Sequence, residues 1–254
     1  MKQIMINADD LGLNEHISRA IAEAFQKRLI TDTTMMATGA FFDEAIQLAV
    51  DDGFADRIGI HLNLTEGVPL TEAILNEARF VTDSRFNKRY TLSEPLTDSE
   101  EKAIEAELTA QVEKLRTAGI VITHADSHHH IHLGRYIAPV AMRVMKRFGI
   151  KKIRRSRDLI QLSPVNHMME EVSREWLSTG FLMTDHFAYA VDITAHDVPE
   201  NTEILVHPDY DRDGSLIDRR GVSDGYPVGN PFPGIALWDG IELSDYSRLY
   251  CYLV

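Results

Sequence analysis

Apolar and polar positions alternate along the chain in two rhythms. Short, nearly unbroken apolar runs, QIMI at 3–6, TTMMA at 33–37 and RIGIHLNL at 57–64, have the length and β-branched content of buried strands. Between them the apolar positions open to helical spacing. Behind Asn14, a candidate N-cap, Ile17, Ala20, Ile21, Ala24 and Phe25 recur at i, i+3, i+4, i+7 and i+8, and a second helix is predicted from about Asp43. In the second half, Thr97 and Glu100 stand at capping-box spacing ahead of a helix with Ile104, Leu108, Val112 and Leu115 on one face. VITHADSH (121–128) predicts a strand and its exit, IAPVAMRVMKRFG (137–149) a helix ending at Gly149, and KKIRR (151–155) a strand. PVNHMMEEVSREWLST (164–179) predicts a helix, and TDHFAY (184–189) and EILVHPD (203–209) the last clear strands. This order predicts the α/β class with a mainly parallel sheet, open or closed into a barrel.

Two stretches break the rhythm. Thr65 to Leu96 has no clear period and is predicted to be a covering loop or lid, because structureless connections of that length are uncommon. From about residue 210 the chain is rich in Gly, Pro and Asp, which predicts an irregular segment. No linker or repeat divides the chain, so residues 1–254 are expected to form one domain with an atypical C-terminal segment.

Composition narrows the classes of partner. With 254 residues, 44% of them apolar, the chain has enough material for one large core, and its formal charge of −13 disfavours duplex nucleic acid and anionic membranes. A small neutral or cationic substrate fits better. No apolar run approaches a membrane span, and the run from Lys2 to Ile6 is too short for a signal-peptide core, so a cytoplasmic location is expected. A single cysteine, Cys251, excludes an internal disulfide framework and a thiolate zinc cluster. Any metal must be held by histidine, carboxylate or water.

The candidate chemistry lies where strands end. In a parallel array the segments leaving the carboxyl ends gather at one face, so NADD, GIHLNL and HADSHHHIH are expected to meet. Asp9 and Asp10, placed in the turn after the first strand, raise each other's cost of ionisation. A cation between them would resolve this, although such a pair taken alone is more often a helix-entry turn than a site. His61, between Ile60 and Leu62, taken alone is a core histidine. The cluster of His128, His129, His130 and His132 beside Asp126 is harder to assign to an ordinary loop. Together the three segments offer a carboxylate and two imidazoles, the donor set of a catalytic divalent ion with open positions. One aspartate can then bind the ion, whose field keeps the other ionised as a base.

NADDLGLN, IGIHLNLTEGVPL, THADSHHHIHL and EILVHPD, in that order, closely resemble the YdjC-like carbohydrate deacetylases, whose best-known members deacetylate chitooligosaccharides. The resemblance runs from the first strand to about Asp209. It implies a deformed (β/α) barrel related to the polysaccharide deacetylases. It also implies Asp10, His61 and His128 as metal ligands, Asp9 as catalytic base, and hydrolysis of the N-acetyl group of an amino sugar or short N-acetylglucosamine oligosaccharide. Magnesium and a homodimer come with the same resemblance, whereas donor softness suits zinc, manganese, iron or cobalt.

The remaining candidates are less determined. His207, at the end of a strand, is either a general acid for the leaving amine or a histidine packed ahead of Pro208. Asp126 is expected to orient a metal-bound imidazole. His130 and His132 alternate with His128 if the segment is extended, and so face either the same site or solvent, while His129 points elsewhere. Arg154 and Arg155 follow a strand and either bind substrate or carboxylates or are simply solvated. After Asp209 the chain departs from the family pattern, which leaves barrel closure open. Tyr226, Phe232 and Trp238 there either stack on sugar rings or pin the segment to the core. Two other classes compete: a metal-dependent phosphoesterase or amidohydrolase, which typically carries His-x-His on its first strand, and a non-catalytic sugar- or metal-binding regulatory protein, which has no use for a second carboxylate beside Asp10.

Overall fold

A computed structural model of the chain describes residues 3–89, 93–159, 164–192, 198–232 and 242–249; Trp238 and Cys251 lie outside these ranges. Strand β1 (Gln3–Leu11) leads into helix α1 (Glu15–Gln26), followed by β2 (Asp32–Met35), α2 (Phe42–Asp51) and β3 (Ile58–Leu62). A short helix α3 (Glu72–Leu75) and a small hairpin, β4 (Val81–Thr82) and β5 (Arg85–Phe86), precede the long α4 (Asp98–Thr117). Then come β6 (Ala125–Ser127), α5 (Ala138–Arg147), α6 (Pro164–Ser178), β7 (His186–Tyr189) and β8 (Thr202–Val206). The chain ends in β9 (Pro208–Tyr210), β10 (Leu216–Ser223), β11 (Tyr226–Pro231) and β12 (Glu242–Leu243).

The helices start where the sequence supplies caps. Asn14 accepts the backbone N–H of Ile17 at 3.0 Å, and at α4 both halves of the capping box form, Glu100 N to Thr97 Oγ1 and Thr97 N to Glu100 Oε2. On α4 Ile104, Leu108, Val112 and Leu115 are fully buried against the sheet, each worth about 1.5–3 kcal/mol of removed apolar surface.

The main sheet runs β6-β3-β2-β1-β8-β7, every neighbouring pair parallel. Its two ends are joined. Ala125 of β6 bridges Ile153, and Lys152 bridges Leu182, just ahead of β7, both in parallel register. The sheet therefore curls back on itself as a (β/α) barrel, deformed because the KKIRR stave is held by single bridges. β12 adds a short parallel pairing to the start of β1, Gln3 with Glu242 and Ile4 with Leu243.

Four expectations change. Asp9 and Asp10 do not lie in a turn: β1 continues through them to Leu11, with a bulge between Ala8 and Leu11 against β2 and Asp10 at φ 74°. The stretch from Thr65 to Leu96 is not structureless. It contains α3 and the β4–β5 hairpin, buries Ile74, Phe80, Val81 and Phe86, and is stitched to the barrel by Glu107 of α4, which accepts the N–H groups of Leu70 and Thr71 and the Thr71 hydroxyl. The third concerns the segment expected to be irregular from about residue 210: residues 208–231 form a three-stranded antiparallel sheet, β11-β10-β9, turned at Asp224 and Gly225, both with positive φ as a type I′ hairpin turn requires. The fourth is the histidine run, taken up below.

Candidate active site

The carboxyl ends of β1, β3 and β6 bring three side chains together. Asp10 Oδ1 stands 2.9 Å from His128 Nδ1 and 3.3 Å from His61 Nε2, and His61 and Asp10 are buried. The bulge makes this possible: in a regular strand adjacent side chains point to opposite faces, and the left-handed turn at Asp10 swings its carboxylate toward the imidazoles while Asp9 points into the barrel. The first loops at this end pack closely; a Cβ on Gly39 would fall 2.1 Å from the carbonyl oxygen of Gly12.

His61 is aimed by its other nitrogen. Nδ1 lies 2.7 Å from Asp126 Oδ1 and 3.0 Å from Thr34 Oγ1, and Thr34 donates to Asp126 Oδ2 at 3.0 Å. An ionised carboxylate only accepts, so Nδ1 carries a hydrogen and Nε2, which faces Asp10, is the nitrogen left to ligate a cation once its own proton is gone.

These residues fit a divalent cation. Asp10 Oδ1 is a buried oxygen without a hydrogen-bond partner, although two ring nitrogens face it, which is the signature of donors converging on a common point. Burial alone would push Asp10 up and His61 down, yet Asp10 is held well below the usual carboxylate range by His128 and His61, and His61 is raised to about 10 by Asp126, Asp9 and Asp10. A cation entering here displaces that proton, so its uptake is coupled to proton release.

A second acidic and histidine group, Asp9, His61 and Asp126, is already served by a cation of the chain itself. The guanidinium of Arg154 is fully buried and grips Asp9 with two parallel bonds of 2.7 Å, Asp126 Oδ2 at 2.8 Å and Glu203 Oε1 at 2.7 Å. Asn7 Nδ2 adds a bond of 2.9 Å to Asp9 Oδ1. Burial works against ionisation of Asp9, but Arg154 together with His61 and His207 outweighs it and keeps the carboxyl well below its ordinary range. Arg154 thus binds carboxylates and, with no exposed surface, has no face for substrate. Arg155 pairs with Asp158 at 3.6 Å.

The histidine run is not extended. His129 and His130 both take left-handed backbone, φ 53° and 55°, within a 3₁₀-like turn over His128–Leu133, so alternation does not govern their directions. His129 reaches Thr65 Oγ1 at 2.9 Å and His130 Nε2 the Tyr189 hydroxyl at 2.6 Å. His132 belongs to neither predicted surface: it is buried in the core, with Ser127 Oγ on Nδ1 and the Arg154 carbonyl at 3.1 Å from Nε2. His207 is half-buried; burial lowers its basicity, and the charges of Asp10 and Asp9 act the other way. Of the C-terminal aromatics, Phe232 packs against the core, and Tyr226 is exposed with Arg212 5.2 Å from its ring.

Sequence reasoning did not single out Arg219 of β10, whose Nη2 lies 3.1 Å from Asp10 Oδ2, nor Asn7, Thr34 and Glu203, which complete the network. The Asp224–Gly225 dipeptide was the available signal for the hairpin that carries Arg219.

Three comparisons bear on this site. The family model described as YdjC-like protein matches residues 3–227, so the likeness continues past Asp209 through β10 and into β11. A carbohydrate deacetylase of Listeria monocytogenes serotype 4a (strain HCC23) is 32% identical over 216 residues, 82% of each chain. Carbohydrate deacetylase 1 of Listeria innocua serovar 6a is 37% identical over 212 residues, again 82% of each. Among solved structures, a candidate cellobiose-phosphate cleavage protein of Enterococcus faecalis V583 superposes with a TM-score of 0.69 over 98% of this chain and 99% of that one, at 20% identity, a likeness of fold.

Proposed function

The chain belongs to the YdjC-like protein family, and from that membership and the geometry at its barrel mouth we propose that it is a metal-dependent carbohydrate deacetylase. Its substrate is the N-acetyl group of an amino sugar or a short N-acetylglucosamine oligosaccharide. The observation that carries this reading is the convergence of Asp10 Oδ1, His61 Nε2 and His128 Nδ1 on one point at the carboxyl ends of the strands, with an ionised Asp9 beside them.

Asp10, His61 and His128 would hold the ion, which supplies Lewis acidity toward water and the amide carbonyl. Two imidazoles and one carboxylate suit zinc, manganese or cobalt by softness, and magnesium by family. Asp9 accepts the proton of the attacking water. Its two oxygens are fixed by Arg154 and Asn7, so the base needs no reorganisation, and general-base catalysis of this kind contributes about 10²–10⁴-fold. Asp126 keeps His61 in one tautomer and orientation. His207, whose basicity the charges of Asp10 and Asp9 raise against burial, would return a proton to the departing amine.

The test is acetate release from N-acetylglucosamine, its 6-phosphate and di-N-acetylchitobiose by chelator-stripped protein resupplied with Mg, Zn, Mn or Co, alongside Asp9→Asn. Metal-dependent release that falls by about 10²–10⁴ in the variant, with ion binding retained, is the expected result. Ion binding without acetate from any sugar would overturn the deacetylase reading.

A further inference from the structure

The two oxygens of Asp10 have different partners. Oδ1 faces the imidazoles of His61 and His128, whereas Oδ2 is held by Arg219 Nη2 at 3.1 Å. Arg219 is itself anchored twice. Its backbone N–H donates to the carbonyl of His207 at 2.8 Å, and its other terminal nitrogen lies 3.7 Å from Asp209 Oδ2. Its neighbour Asp218 accepts the N–H of His207 at 2.9 Å, so strand β10 grips the main chain of His207 from both sides while extending one guanidinium to the ligand carboxylate. With a quarter of its side chain exposed, Arg219 reaches this point from the solvent side.

A carboxylate with both oxygens free can close on a cation with both. One whose second oxygen is taken by a permanently charged guanidinium offers a single oxygen. The difference matters at a catalytic site, which must keep positions open for water and substrate. The same positive charge works against cation affinity. Resting on the metal-dependent reading above, we propose that Arg219 is a positioning residue that restricts Asp10 to one-oxygen ligation, keeping the site open for turnover while weakening its hold on the ion.

The experiment compares wild type, Arg219→Met and Arg219→Lys. The readouts are the Mn²⁺ dissociation constant by calorimetry, Tm without metal, and kcat and KM for acetate release from di-N-acetylchitobiose. Methionine keeps the stem and the backbone bond to His207 but removes the charge. Arg219→Met is expected to bind Mn²⁺ on the order of tenfold tighter, the effect of removing one positive charge a few ångströms from a divalent ion at near-aqueous dielectric. Its kcat is expected to fall by about 10–100-fold with KM little changed, as for a misplaced reactive group. Arg219→Lys, which keeps the charge, should bind Mn²⁺ like wild type and recover part of kcat. A strut without this role would give weaker Mn²⁺ binding together with a lower Tm in both variants, and that result overturns the proposal, as does unchanged affinity and kcat in Arg219→Met. Wild type that binds no divalent ion overturns the metal reading and this inference with it. Wild type that binds Mn²⁺ but releases no acetate overturns the deacetylase reading alone, and the affinity comparison still decides the role of Arg219.

Discussion

Three carboxylates, those of Asp9, Asp126 and Glu203, share the single guanidinium of Arg154 in a part of the barrel closed to solvent. Such a group is stable only while complete, because removing one partner of a buried ion pair leaves uncompensated charge. Arg154→Met is therefore expected to lower stability by about 3–5 kcal/mol, read as a shift of the urea midpoint, and to depress kcat through the loss of fixed geometry at Asp9. At this scale the residue types of the site were legible: Asp10, His61 and His128 stand at strand ends, and they meet as a group that could hold a metal ion. The directions of side chains were not. A bulge at Asp10 and two left-handed residues at His129 and His130 reverse directions that a strand period would assign, and they send His132 into the core. Nor could residue type separate Arg154 from its neighbour Arg155; only the curvature of the sheet brings three acids to one of them.

Among elements, the helices were the most readable, because Asn14, Thr97 and Glu100 carry their boundaries in their own side chains. The stretch from Thr65 to Leu96 was hidden by its economy of structure: one helical turn and a two-residue-per-strand hairpin show no period, and the segment leading into them is tied down by a distant carboxylate on α4. Glu107→Ala is expected to release that contact at a cost of roughly 2–4 kcal/mol, since two backbone N–H groups and one hydroxyl lose a charged acceptor. Limited proteolysis reads it directly, with new cleavage between residues 66 and 89 while α4 stays protected. Uniform loss of protection along the chain would instead make Glu107 a core strut. The hairpin of β10 and β11 escaped notice for a different reason. Its alternation is diluted by Gly, Pro and charged residues, and only the Asp224–Gly225 turn betrays it.

Across the whole molecule, closure of the barrel was foreshadowed by the strand and helix order, KKIRR included, while the reduction of that strand to single bridges and its partner at Leu182, ahead of β7, were not, since each is too brief to leave a periodic trace. The underside, where Tyr246 donates its N–H to Asp32 and its hydroxyl to Glu203, gives the molecule a pH dependence. Burial raises Asp32 to about 7, and Glu203 to about 7 by the same cause. Between about pH 4 and 7 these two carboxyls bind more protons in the folded state than in the unfolded chain, so their own contribution to stability falls as pH rises through that window. Asp32→Asn should flatten part of the slope, gaining up to ~4 kcal/mol relative to wild type at pH 8 and little at pH 4, measured by urea titration at each pH. An equal gain at both pH values would mean that Asp32 is not the titrating group.

The pairing of β1 with β8 joins residues 4–8 to residues 202–206, and Arg219 reaches Asp10 from farther still. During synthesis the first strand leaves the ribosome with one edge waiting for a partner almost two hundred residues away. Non-local pairing of this kind makes folding slow and leaves that edge in need of shielding meanwhile. It also sets the order in which the group is completed: the nascent chain carries Asp10, His61 and His128 long before Arg219 exists, so the contact that divides the Asp10 carboxylate is the last of them to form.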